Sequence, residues 1–352
     1  MEPATTPAAD AANRTDCVIV GAGPCGLFQV FELGLLGISA HIVDSLTSPG
    51  GQCTELYPDK PIYDIPALPV CGAQELVDRL MAQIKPFHPQ FHLGQEVSQL
   101  QRRDDGRFSL QTAAGTRFDA ATVVIAAGVG SFQPRRIVLE GAEPFEGRQI
   151  HYRVRDAQQY HGQALMIFGG GDSALDWAIE FAAKARSLTL VHRRAEFRAA
   201  PASVARMREL EAAGRLRYIE GLADALLVDG TRLRGIRVKA KDGSLHDVAA
   251  EQVFAFFGLH PKLGPVAQWG LAMEKKTLTV DTERFQTSVP GIFAIGDVNH
   301  YPGKKKLILS GFHEAALAAF AIQAHLNPGK KQFLQYTTTS PVMHKRLGVT
   351  GE

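Results

Sequence analysis

Two glycine-rich turns, each set between an apolar strand and a helix, fix what this chain can fold into. The first reads Gly21-Ala22-Gly23-Pro24-Cys25-Gly26 and the second Gly169-Gly170-Gly171-Asp172-Ser173-Ala174. Short apolar runs enter them, Cys17 to Val20 and Ala164 to Phe168. Helical spacing of apolar residues leaves them, over Leu27 to Leu36 and about Ser173 to Ala185. Glycines at such a turn allow a tight bend and close backbone approach, and the helix N-terminus favours an anion. Alanine at the third position of the second turn, Ala174, still permits close helix–strand packing. Each turn therefore predicts a βαβ dinucleotide-binding unit.

The strands that follow end differently. The first unit's second strand ends in Asp44, the second unit's in His192-Arg193-Arg194, with Arg198 close behind. A carboxylate at that place accepts a free ribose 2′-hydroxyl and repels a phosphate. Arginines there attract a 2′-phosphate and can hold it bidentately. The pair of dinucleotides that satisfies both ends is FAD in the first unit and NADPH in the second.

The chain has 352 residues, enough for two domains with separate cores. Apolar content of 45% and charged content of 21% are ordinary for a soluble enzyme. A net charge of +2 gives no strong nucleic-acid footprint, and no apolar run reaches membrane-spanning length. Residues 1–13, rich in Ala, Pro and Thr, are expected to be a disordered tail rather than a targeting peptide, with cytoplasm the default location. Cys17, Cys25, Cys53 and Cys71 form no Cys-x-x-Cys pair and are expected to be buried as small apolar residues.

The expected fold is α/β, with two Rossmann-like domains and the NADPH domain inserted into the FAD domain. The FAD-binding domain takes 14–133 and 262–352, with a tail from about 327, and the NADPH-binding domain takes 134–261. Gly50 to Pro69 reads as a loop, Gln74 to Ile84 as a helix, and Phe108–Leu110 with Arg117–Asp119 as a hairpin. Residues 135–161 read as a polar linker, Gly311 to His325 as a helix, and everything beyond Asn327 as a polar tail. Asp297 closes the apolar strand Ile292–Ile295 behind Gly296, where it would accept a hydrogen bond from a flavin ribityl hydroxyl. Gln52 and Tyr57 follow the ribose-binding strand, where Tyr57 could fold over a flavin. Tyr336 and Thr338 carry only weak signals of their own, since chain ends are more often frayed than functional.

Taken together, the chain from about Cys17 onward resembles the two-dinucleotide-binding-domain flavoproteins, specifically the thioredoxin-reductase-like ferredoxin–NADP⁺ reductases. The resemblance rests on Gly-Ala-Gly-Pro (21–24), Gly-Gly-Gln (50–52), Leu-Tyr-Pro (56–58), Tyr-Asp (63–64), Gln-Glu-Leu-Val (74–77), Gly-Gly-Gly-Asp-Ser-Ala (169–174), His-Arg-Arg (192–194), Phe-Arg-Ala (197–199) and Gly-Asp (296–297). It implies that Tyr57 stacks on one face of the isoalloxazine and Tyr336 covers the other. It further implies that FAD meets Gly21, Gly23, Cys25, Gly26, Asp44, Gln52, Val97, Phe132, Asp297 and Thr338. NADPH would meet Gly169, Gly171, Asp172, Ser173, Ala174, His192, Arg193, Arg194 and Arg198. Most members carry Glu where this chain has Asp44, and another small residue in place of Cys25. Residues 343–352 run past the aromatic–threonine segment and receive no role from the resemblance.

The implied activity is hydride transfer between NADPH and FAD, then single-electron transfer to ferredoxin or flavodoxin, by a homodimer. No side chain is needed as acid, base or nucleophile, and none stands out. A thioredoxin reductase would need a redox-active cysteine pair in the second domain, and 134–261 contains no cysteine. A diaphorase or quinone reductase, and a non-catalytic NADPH-sensing module, are the alternatives. Lys304, Lys305 and Lys306 are the candidate docking residues for an acidic partner.

Overall fold

The structure is a computed structural model that describes residues 12–349, apart from Asp59 and Arg155, with the backbone alone described at 131–134 and 259–262. The chain divides into two compact units, Met1–Ser131 with Pro261–Glu352, and Phe132–His260. The described part of the first unit opens with strand β1 (Asn13–Val20), helix α1 (Pro24–Leu36) and strand β2 (Ala40–Asp44). Asn13, expected in the disordered tail, already pairs with Phe118. Pro24 starts α1, where a missing N–H costs nothing, and Gly37 ends it with φ +74. Leu27, Val30 and Leu33 form its buried stripe.

Helices α2 (Gln52–Leu56) and α3 (Ala73–Ile84) follow, then strands β3 (Gln90–Leu93), β4 (Val97–Arg102), β5 (Phe108–Thr112) and β6 (Arg117–Ile125). The stretch expected to be one loop, 50–69, therefore contains a helix, and its Pro61–Ile62 pairs with Cys71–Gly72. Strand β6 pairs with β1 along its length. The hairpin β5–β6 uses the first half of its other edge, up to Ala120.

The second unit is built on strands β7 (Ile150–His151) and β8 (Ala164–Gly169), helix α4 (Asp172–Phe181), strand β9 (Ser187–His192), helix α5 (Pro201–Ala212) and strands β10 (Arg217–Asp229), β11 (Arg232–Ala240), β12 (Leu245–Ala249) and β13 (Gln252–Phe256). The sheet order is β7-β13-β8-β9-β10-β11-β12. The strands from β7 to β10 are parallel, and β10–β12 form an antiparallel meander. The segment expected to be a polar linker contributes β7 and buries Ile137, Ala142, Phe145 and Ile150 in this unit's core. Those four residues are too scattered to show either period, yet each is covered.

Back in the first unit, strand β14 (Ile292–Ala294) takes the half of β6 that the hairpin leaves, from Val123 to Ile125. The seven-stranded sheet runs β3-β2-β1-β6-β5-β4, with β14 beside β6. Helix α6 (Ile308–Leu326) packs on α1. The tail is not simply polar sequence, because it ends in helix α7 (Pro341–Leu347). Ser340 Oγ caps it by accepting from the Met343 N–H at 3.3 Å. Arg346 donates to the Leu35 carbonyl at the C-terminal end of α1, where a cation suits the helix dipole.

Met343 is only 5% exposed, whereas Tyr336 is 63% exposed. Met343→Ala should therefore cost about 2–5 kcal/mol, lowering the melting temperature by several degrees. Tyr336→Ala should stay within about 0.5 kcal/mol. Thermal unfolding of both variants checks the contrast, and equal melting temperatures would show that α7 does not anchor the chain end.

Candidate functional site

The first glycine turn is shaped by what cannot fit. A Cβ on Gly26 would lie 2.0 Å from the Gly21 carbonyl oxygen, and one on Gly21 would lie 2.4 Å from the Ala126 carbonyl oxygen. Those two glycines let α1 and β6 close on β1. Gly23 is different. A Cβ there would come no closer than 4.0 Å to its nearest neighbour across the turn, the Gly51 Cα, and its φ of −71° is open to any residue. Nothing in the protein demands glycine there, so the space fits a bound group. No side chain caps this helix, which leaves its N-terminus free for an anion. The turn is braced by the Gly50 N–H, which donates to the Ala22 carbonyl at 2.8 Å.

Asp44 ends β2 beside this turn. Its carboxylate accepts from the Ala22 N–H at 2.6 Å and the Leu46 N–H at 2.8 Å. Burial pushes its pKa up, and those two N–H groups oppose the shift. Each oxygen retains a lone pair for a hydroxyl.

At the end of β14 a second group of side chains converges. The Gln52 amide bonds the Asp297 carboxylate, and a Cβ on Gly128 would be 3.5 Å from Gln52 Nε2. Burial raises the Asp297 pKa, and Lys306 and then Lys304 pull it back down. Cys25 fills a notch left by two glycines, since a Cβ on Gly311 would lie 2.2 Å from its sulfur and one on Gly296 3.1 Å away. Burial, reinforced by Asp297 and Glu314, pushes the Cys25 thiol up to about 12. Burial likewise pushes Cys53 up to about 11, although its contact with Tyr57 counts the other way, and Tyr57 is itself raised by burial. Thiols held this far from ionisation are packing groups, not nucleophiles.

The second turn repeats the logic of the first. Gly169 has no room for a side chain, since a Cβ would be 2.6 Å from the Phe256 carbonyl oxygen and 2.7 Å from the Ala174 Cβ. A Cβ on Gly170 would meet the His192 ring at 2.3 Å. Gly171, by contrast, has nothing within 4 Å and a φ of −103°. Asp172 does not face the opening as a free acid, because its Oδ1 accepts from the Ala200 N–H at 2.9 Å. The loop after β9 is tied back by the Arg198 N–H to the Gly170 carbonyl at 2.7 Å. His192 lies tilted against Phe197 and touches the Glu196 carbonyl at 3.2 Å; burial lowers its pKa. Arg193, Arg194 and Arg198 are exposed, and among the described residues none of them pairs with a carboxylate.

The structure thus gathers Gly21, Gly23, Gly26 and Asp44 at one opening. It gathers Cys25, Gln52, Tyr57 and Asp297 at one corner. Gly169, Gly171, Asp172, Ser173, Ala174, His192 and the three arginines surround the second turn. Val97 is buried in the core of the first unit, so only its backbone is free to meet a ligand. The Phe132 side chain lies outside the described residues. Tyr336 and Thr338 are exposed, and among the described residues no ring contact or hydrogen bond joins their side chains to Tyr57, Gln52 or Asp297. Lys304 is not a surface lysine. Its side chain is 5% exposed and paired with Glu314, which removes it from the docking candidates and leaves Lys305 and Lys306. Glu314 escaped the sequence reading, although a lone carboxylate among the small apolar residues of α6 was a signal.

The pyridine nucleotide-disulphide oxidoreductase family model matches residues 15–321. The chain is 59% identical to ferredoxin–NADP reductase 2 of Cupriavidus metallidurans over 334 residues, covering 95% of this chain and 91% of that protein. It is 58% identical to a ferredoxin–NADP reductase of Methylibium petroleiphilum over 356 residues, covering 99% and 97%. Among solved structures, Lactococcus lactis thioredoxin reductase superposes with a TM-score of 0.72 at 23% identity, over 89% of this chain and 99% of that one. At that identity the likeness speaks for the fold alone.

The two kinds of glycine give opposite expectations for the ligand-free protein. Gly23→Ala should be neutral or stabilise by up to about 1 kcal/mol, because the backbone already suits alanine. Gly26→Ala should cost about 3 kcal/mol or more, because its Cβ meets backbone that cannot yield. Chemical unfolding of the apoprotein variants decides this, and equal effects would remove the distinction between packing glycines and cradle glycines.

Proposed function

Because the chain belongs to the pyridine nucleotide-disulphide oxidoreductase family, and within it to the ferredoxin–NADP reductases, we propose that it carries electrons between NADPH and ferredoxin or flavodoxin through FAD. The observation that supports this reading best is the contrast between the two cradles. One pairs an open glycine, Gly23, with a half-buried carboxylate, Asp44. The other pairs an open glycine, Gly171, with exposed, unpaired arginines. The first suits a dinucleotide with a free ribose hydroxyl, and the second one that carries a 2′-phosphate.

FAD, when bound, supplies the step from a two-electron donor to a one-electron acceptor. The chain's own residues bind and orient. Gly21, Gly23 and Gly26 set the helix N-terminus toward the pyrophosphate, and Asp44 takes the ribose. Gln52 and Asp297 meet the ribityl side, with Cys25 as filler and Tyr57 as an aromatic wall. The family resemblance assigns Val97 and Phe132 to FAD as well, and Tyr336 and Thr338 in the tail to its cover. Gly169, Gly171, Asp172, Ser173 and Ala174 form the NADPH turn, while His192, Arg193, Arg194 and Arg198 select the phosphate. The first unit is then the FAD-binding domain and the second the NADPH-binding domain. A homodimer and a cytoplasmic setting belong to the same reading. The raised thiol pKa values of Cys25 and Cys53 argue against disulfide chemistry.

The purified protein should be yellow, with one FAD per chain, and protein that takes up no FAD on reconstitution would contradict the reading. Arg193→Ala with Arg194→Ala should lower kcat/KM for NADPH by about two to four decades, at about 1.5–3 kcal/mol for each of two charge-assisted bonds, and leave NADH nearly unchanged. Steady-state assays with both nucleotides test this, and a retained preference for NADPH would refute phosphate selection by these arginines. Turnover with ferredoxin should fall as ionic strength rises, and Lys305→Glu should slow it further at low salt. A salt-independent rate would discount this surface.

A further inference from the structure

The corner that carries Asp297 is built around a buried ion pair. Glu314 has 0% exposure and all four of its acceptor sites are engaged. Its Oε2 accepts from the Gly296 N–H at 2.7 Å and from Asn299 Nδ2 at 2.8 Å. Its Oε1 accepts from the Tyr301 hydroxyl at 3.0 Å and from the Lys304 ammonium. The same ammonium donates to the Gly296 carbonyl at 2.9 Å. One ion pair therefore grips both polar groups of a single residue, its N–H through the carboxylate and its carbonyl through the ammonium. That residue sits in the left-handed region, at φ +76°, and Asp297 follows it directly.

Stability alone is a poor reason for such a pair. Burying two charges costs solvation that their attraction only partly returns, and well-packed apolar replacements are often as stable or more so. Field strength is a poor reason too, because the two charges act on Asp297 with opposite signs, Lys304 lowering its pKa and Glu314 raising it. What the pair does without cancellation is fix geometry. With both peptide groups of Gly296 held, the backbone that carries the Asp297 carboxylate beside Gln52 is fixed on its N-terminal side.

We propose that Lys304 and Glu314 are positioning residues that hold Asp297 for the flavin, and so set how tightly it binds and at what potential it is reduced. This rests on the assignment of Asp297 as a flavin ligand. Neither residue touches the site directly; both act through Gly296.

The test compares wild type with Glu314→Gln, with Lys304→Met/Glu314→Leu, and with Tyr301→Phe. The readouts are apoprotein melting temperature, the FAD Kd from fluorescence titration of the apoprotein, the visible spectrum and the flavin midpoint potential. Glu314→Gln strands a buried ammonium and should lower both stability and FAD affinity. The double variant removes both charges but leaves the Gly296 N–H, Asn299 Nδ2 and the Tyr301 hydroxyl without their acceptor, so its melting temperature should stay below wild type, and the folded protein should bind FAD about tenfold or more weakly with a shifted potential. A double variant with wild-type Kd, spectrum and potential would reduce the pair to a structural element and overturn the proposal. Should the double variant not fold, Tyr301→Phe removes one of the four donors and leaves the pair in place. It should shift the potential and weaken FAD by about two- to threefold, and unchanged values would overturn the proposal equally. Wild-type protein that binds no FAD would instead overturn the flavoenzyme reading, and the positioning role with it, and is told apart by its colour.

Discussion

The distance of closest approach between α1 and β1 governs the first unit. With the Gly21 carbonyl oxygen 2.0 Å from where a Gly26 Cβ would stand, there is no room for any side chain between helix and strand. That contact brings the uncapped end of α1 beside Asp44 and sets the floor on which Gly50 and Gly51 dock. The rest of the unit arranges itself around it. Strand β6 closes against Gly21 through Ala126, α6 packs along α1, and α7 ties down the far end of the same helix through Arg346. The second unit reaches the same solution with Gly169 against Ala174 and the Phe256 carbonyl. There alanine takes the third position, and its Cβ occupies the space a Gly169 side chain would need.

Much of this was legible in the sequence because it depends on short-range spacing. A run of apolar residues, a glycine turn and a helical stripe occupy adjacent residues, and the strand tip is reached within one further crossing. Asp44 and the arginine cluster were found that way. What stayed hidden depends on contacts far apart in the chain. Ile137, Ala142 and Phe145 look like isolated residues of a polar stretch until the second unit's core covers them. The helix at 341–347 has one buried residue, Met343, and draws its stability from α1, some three hundred residues earlier in order of magnitude. Lys304 looked like one of three exposed lysines because sequence cannot show that Glu314, a turn and part of a helix away, needs a buried cation.

The cysteines of the first unit are packing groups. All four cysteines are free, and burial holds Cys17 and Cys25 at about 12 and Cys53 at about 11. The scaffold that superposes on thioredoxin reductases thus carries cysteines only as filler, and the second unit has none. Redox work without a thiol relay falls to the bound nucleotides. The two units offer two open glycine positions, one half-buried carboxylate and one exposed arginine cluster.

The most direct measurement is anaerobic stopped-flow mixing of the FAD-loaded protein, first with NADPH and then with oxidised ferredoxin. The account predicts rapid loss of the flavin absorbance with NADPH, a far slower loss with NADH, and full return of colour when ferredoxin is added. Equal rates with the two nucleotides, or a reduced protein that ferredoxin leaves colourless, would contradict it.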